Sequence, residues 1–93
     1  MTKLTEIQIS KARNATGLSS SKTTYRNRYV VFHPDPDWDD MVQKGYAARA
    51  WYRRGYLING VIGSKTYIYR VTLKGVNEIL RKGEKIDPED FTI

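Results

Sequence analysis

Ninety-three residues carry 16 Lys and Arg against 10 Asp and Glu, for a net charge of +6 and no cysteine. That length supports one modest core, and the missing thiols exclude disulfides and thiolate metal sites. The longest apolar run, Tyr29-Val30-Val31-Phe32, falls far short of the roughly 20 residues of a membrane-spanning helix, and Met1 opens no apolar signal core; the expectation is a single soluble, intracellular domain over residues 1–93.

The first predicted element is a helix from Glu6 to about Thr16. Thr5 and Gln8 have capping-box spacing, Leu4 and Ile9 can staple the entry, and Gly17 supplies a left-handed stop before Leu18 folds back. Ser19 to Thr24 reads as a mobile polar connection. It superficially resembles a phosphate loop, but the second glycine and the preceding strand are missing. Tyr25 to Phe32 is aromatic and β-branched, which predicts a short strand ending at His33-Pro34.

Asp35 with Pro36 at the first helical position starts a second helix, in which Trp38, Met41 and Val42 form one buried stripe. Gly45 ends it. Two strands follow, one through Ala47–Tyr56 and one through Thr66–Val71, joined by a Gly-punctuated loop. Turn chemistry occurs at Asn59-Gly60 and again at Gly63-Ser64, and either choice is compatible with the residues. Thr72 caps a third helix from Leu73 to Arg81 or Lys82, with Leu73, Val76, Ile79 and Leu80 inward and Gly83 as its stop. The tail over residues 83–93 contains an Asp-Pro helix start, and Ile86, Phe91 and Ile93 predict that it packs on the body.

Charge is distributed in blocks: +5 over residues 1–34, −3 over 35–46, +7 over 47–82 and −3 over 83–93. Basic blocks concentrate polyanions. The candidate nucleic-acid contacts are Arg49, Arg53, Arg54, Lys65 and Arg70 on the strand pair, joined by Arg26 and Arg28, with tyrosines able to stack on unpaired bases. All of this requires the guanidinium groups of the strand pair to gather on one exposed side. The helix before the strands is a poor groove reader, because its aspartates repel phosphate. The same residue types dominate protein interfaces, so Trp51, Tyr52, Leu57, Ile58, Val61 and Ile62 are the rival protein-binding set.

Catalysis has little to stand on. His33 is the one histidine, at a strand end. Asp35, Asp37, Asp39 and Asp40 misspell a calcium loop, since position six is Asp40 and position twelve Tyr46. Helix capping and the helix dipole account for those aspartates. No enzyme activity, metal or cofactor is expected.

Leu4-Thr5-Glu6 with Gln8, Ala15-Thr16-Gly17-Leu18, Tyr25-Arg26-Asn27, Asp37-Trp38, Gly45-Tyr46 and Tyr69-Arg70-Val71-Thr72 with Gly75 together resemble a family of small uncharacterised phage and prophage proteins. The segment from Tyr69 to Gly75 is also similar to the wing-to-helix junction of bacterial transcription regulators. The resemblance implies a phage origin and the host cytoplasm, and brings no catalytic residues. The expected architecture is α+β and winged-helix-like, in the order α-β-α-β-β-α with an antiparallel hairpin. The expected function is non-catalytic nucleic-acid binding through that basic hairpin. The alternative is a phage protein that binds and inhibits a host protein, such as a defence complex. Partners are nucleic acid or a host protein complex, with a second copy of the chain as a further candidate and no membrane.

Overall fold

The computed structural model describes residues 4–52, 57–58, 61–62 and 66–91. Helix α1 (Glu6–Thr16) starts at the capping box: Thr5 Oγ1 accepts from Gln8 N–H at 3.1 Å, and Gln8 Oε1 accepts from Thr5 N–H at 2.9 Å. It stops at Gly17, whose φ of +89° costs a side chain dearly, and Leu18 turns into the core.

Strand β1 (Tyr29–Val31) is shorter than the run from Tyr25 to Phe32 predicts. The residues before it bind α1 instead of extending the sheet. Tyr25 N–H goes to Thr16 O and Arg28 N–H to Ala15 O, while the Asn27 side chain takes both Val71 N–H and Val71 C=O at 2.8 Å. The Asn27 amide thus substitutes for one rung of the ladder, and the backbone is free to diverge.

Helix α2 (Pro36–Gln43) begins at Asp35, which accepts from Asp37 N–H and Trp38 N–H. Strand β2 (Ala47–Tyr52) follows, then β3 (Leu57–Ile58), β4 (Val61–Ile62) and β5 (Thr66–Val71). Ile58 pairs with Val61, and the two candidate turns, Asn59-Gly60 and Gly63-Ser64, lie outside the described residues. The main sheet is antiparallel in the order β1-β5-β2, and β3-β4 form a second pair within the long excursion between Tyr52 and Thr66.

Helix α3 (Leu73–Ile79) is shorter than expected, and Leu80 is already extended. Its end is claimed by other groups: Ile79 O accepts from Arg13, and Arg81 N–H donates to Glu84. Gly83 serves that turn and not the helix stop. Leu73, expected inward, is exposed, and Val76 and Ile79 carry the packing. Gly75 is required by proximity, since a Cβ there would lie 2.0 Å from Tyr46 O.

All three helices pack on one face of the sheet. The core joins Ala12, Ala15 and Leu18 of the α1 region to Trp38 and Met41 of α2, to Ala47, Tyr69 and Val71 of the sheet, and to Val76 and Ile79. At its centre the fully buried Trp38 is stacked between Tyr29 and Tyr69, with centroids 5.5 Å away on either side.

The connection after α1 is tied down, contrary to the mobile segment expected. Thr23 bridges Lys85 in parallel, Thr24 is buried, and its hydroxyl accepts from Asp87 N–H at 2.8 Å. The chain beyond Gly83 packs through Ile86 and Phe91 and ends its described part in a 3-10 turn (Pro88–Phe91). Arg13 locks this end: its buried guanidinium donates to both Glu84 oxygens at 2.6 and 2.5 Å, and to Ile79 O and Leu18 O. The hydrogen bonds from Arg13 hold the Glu84 carboxyl down at about 2, against burial, which works the other way.

Two outcomes follow for stability. Gly75→Ala is expected to destabilise by about 3 kcal/mol in denaturant titration, because the clash is with backbone. Glu84 is ionised in both folded and unfolded chains above its ordinary 4.5, so its contribution is complete there and drains away as pH falls toward about 2. Glu84→Gln should remove that acid limb from a pH–stability curve and cost about 3 kcal/mol at neutral pH, since a buried guanidinium loses its counter-charge.

Candidate nucleic-acid interface

The four aspartates of the α2 start are consumed within the fold. Lys11 Nζ donates to Asp35 at 2.9 and 3.1 Å and to Asp37 at 2.9 Å. Its hydrogen bonds to those two carboxylates push Lys11 up to about 12. Burial alone would raise Asp35, but Lys11 and the two backbone N–H groups outweigh it and the carboxyl is lowered. Asp39 Oδ1 accepts from the Tyr69 hydroxyl at 2.7 Å and from Arg49 Nη1 at 3.0 Å. Burial raises the Tyr69 phenol, and its bond to Asp39 acts in the same direction. Asp40 pairs with Lys44 at 2.7 Å and accepts from Gln8 Nε2, also at 2.7 Å; both bonds lower it. Only Asp35 caps, so capping and dipole alone do not explain this cluster. The other three dock α2 onto α1, β2 and β5 or close its own last turn.

This arrangement removes Arg49 from the candidate set as a free cation. It is committed to Asp39 and lies 5.7 Å from the Tyr67 ring centroid, on the helical side of the sheet. Arg70 is on the other side. The register pairs Arg49 with Tyr69 and Ala48 with Arg70, and neighbouring residues of a strand point to opposite faces. The expectation that the strand-pair arginines gather on one side therefore fails by the parity of a single position. Arg53, Arg54 and Lys65 lie outside the described residues.

The helix-free face has its own composition. Val30 stands opposite Ile68 across β1 and β5, and Ile68 stands opposite Ala50 across β5 and β2, with Arg70 opposite Ala48. A hollow of about 110 Å³ is lined by Ala48, Arg49, Ala50, Ile68 and Arg70. A second, of about 290 Å³, is lined by Asn14, Ala15, Arg26, Arg28 and Val30. Ile68 is itself buried, at 4 % exposure, with Arg70 half-exposed in the first hollow, while Arg26 and Arg28 border the second beside the end of α1 and Tyr29. Among the described residues no carboxylate pairs with any of the three, whereas Lys11, Arg13, Lys44 and Arg49 are all paired.

Of the protein-interface candidates, Trp51 and Tyr52 stand opposite Tyr67 and Thr66 at the far end of the main sheet. Leu57, Ile58, Val61 and Ile62 make up the β3-β4 pair. His33 is exposed and borders an open hollow beside β1. Among the described residues no group of His, Asp and Glu side chains is arranged to hold a metal ion, and no helix is long and apolar enough to cross a membrane.

Residue reading missed three contributors. Gln8 was legible as a cap, but its Nε2 also reaches Asp37 O and Asp40 across the helix pair. Lys11 gave no signal beyond its charge. Asn27, a polar residue within an aromatic run, was the one hint that the strand starts late. Protein-family models, characterised proteins and solved structures yield no match to this chain.

The division of the arginines is measurable in solution. Under limiting arginine-selective dicarbonyl modification, peptide mass spectrometry should find the exposed Arg28 labelled well before the buried Arg13. The reverse order would contradict the pairing described.

Proposed function

We propose that this protein is a small, non-catalytic nucleic-acid-binding module of phage type, working in the host cytoplasm and holding phosphates on the helix-free face of its sheet. One observation carries the reading: among the described residues Arg26, Arg28 and Arg70 have no carboxylate partner, while every aspartate of the α2 start is neutralised elsewhere. A surface of unpaired guanidinium groups on a chain of net charge +6 attracts polyanions and releases their counterions on contact.

The order β1-β5-β2, with α2 running directly into β2, supports a winged-helix-like reading in which the β3-β4 pair belongs to the wing. Only α2 lies between β1 and β2, so a helix-turn-helix pair is missing at that point. Its N-terminal half is bound to α1 by Gln8 and Lys11. Groove reading by that helix is therefore not part of the proposal; the sheet face and the wing are. A second reading, capture of a host protein, draws on the half-buried Val30, Ala48 and Ala50 of the same face.

Fluorescence anisotropy with labelled DNA and RNA oligonucleotides at two salt concentrations tests the first reading. Binding should weaken steeply with salt. Arg28→Gln with Arg70→Gln should lower affinity by about tenfold and reduce the log–log salt slope by about 2, while Arg49→Gln changes neither appreciably. Salt-insensitive binding, or an Arg49→Gln loss equal to that of the double variant, contradicts the proposal. The former favours the protein partner.

A further inference from the structure

Tyr25 is the one aromatic side chain among the large apolar residues left exposed in the described part of the chain, at 52 % of its surface. It contributes nothing to the core. Even so it is held in place: its N–H donates to Thr16 O at 3.1 Å, and its hydroxyl lies 3.0 Å from Ser20 Oγ. Its ring rests directly on Gly17, where a Cβ would come within 2.4 Å of Cε1.

Arg26 is fixed beside it. The guanidinium carbon lies 5.2 Å from the Tyr25 ring centroid, and Nε and Nη2 donate to Asn14 O at 3.2 and 2.7 Å, with Nη2 also reaching Asn14 Oδ1. Neither group is spent on an acid. Two flat, polarisable groups are thus pre-set at the surface, beside the hollow that Arg26 shares with Arg28 and Val30. Ordering such side chains in advance lowers what a ligand must supply on binding.

We infer that the nucleic acid bound here is single-stranded, with an unpaired base stacking on the Tyr25–Arg26 pair and the adjoining phosphates held by Arg28 and Arg70; this rests on the nucleic-acid reading above. Bases within a duplex are already stacked on one another and offer their flat faces to no protein ring, whereas those of a single strand do. Stacking on tyrosine and on a guanidinium plane tolerates any base, so binding depends on strandedness and little on sequence.

The test compares a labelled oligothymidine with a hairpin duplex at one fixed salt concentration, with the fold of each variant verified by thermal melting. The wild-type chain should bind the single strand more tightly. Tyr25→Ala should weaken single-strand binding by about tenfold and leave duplex binding within about twofold. Tyr25→Leu, which still covers Gly17 but has no flat face, should show the same loss. Tyr25→Phe, lacking only the hydroxyl, should bind like wild type. Tighter duplex binding by the wild type, or equal losses for both ligands in Tyr25→Leu, overturns the stacking role and leaves the phosphate-binding face standing. No salt-dependent binding to either ligand would remove the nucleic-acid reading itself.

Discussion

The docking of α2 against α1 sets the electrostatics of the rest of the molecule. Gln8 and Lys11 reach across from α1 to Asp35, Asp37 and Asp40, while Asp39 is taken by Tyr69 and Arg49. Those contacts turn the most acidic stretch of the chain into an internal counter-charge. They also fix Trp38 between Tyr29 and Tyr69, so the aromatic centre and the polar network stabilise the same geometry. With the aspartates bound inward, Arg70 on the opposite side of the sheet has no carboxylate partner among the described residues.

The segment between α1 and β1 is the second determinant. It is polar and reads as slack, yet it is pinned from three directions: by the α1 carbonyls, by Val71 through Asn27, and by Lys85 and Asp87 of the tail. The pinning holds Tyr25, Arg26 and Arg28 beside the C-terminal end of α1. The buried Arg13–Glu84 pair secures the tail against which the segment lies. A short segment is thus held by long-range contacts, and this is how its exposed side chains acquire fixed positions without entering the core.

Pleating supplies the finest distinction. Arg49 and Arg70 lie on neighbouring, paired strands and look equivalent in a charge count. The register sets Arg49 opposite Tyr69, with the helices and Asp39, and Arg70 opposite Ala48, away from them. A shift of one residue in that pairing would put both arginines on one face. The same parity buries Tyr69 and Val71 and leaves Arg70 half-exposed between them.

The amino-acid sequence by itself determined the local events: the capping box of α1, the Asp-Pro start of α2, the strand pair after Gly45, and the Thr72 cap of α3. Each depends on groups a few residues apart, whose geometry is nearly independent of the rest of the chain. Tertiary structure alone decided where β1 begins and where α3 ends, because Asn27, Arg13 and Glu84 act there over long separations in sequence. It also decided which arginines are free. A charge written in a sequence has a sign but no partner, and whether a carboxylate neutralises it depends on a register and a packing face that only the folded chain defines.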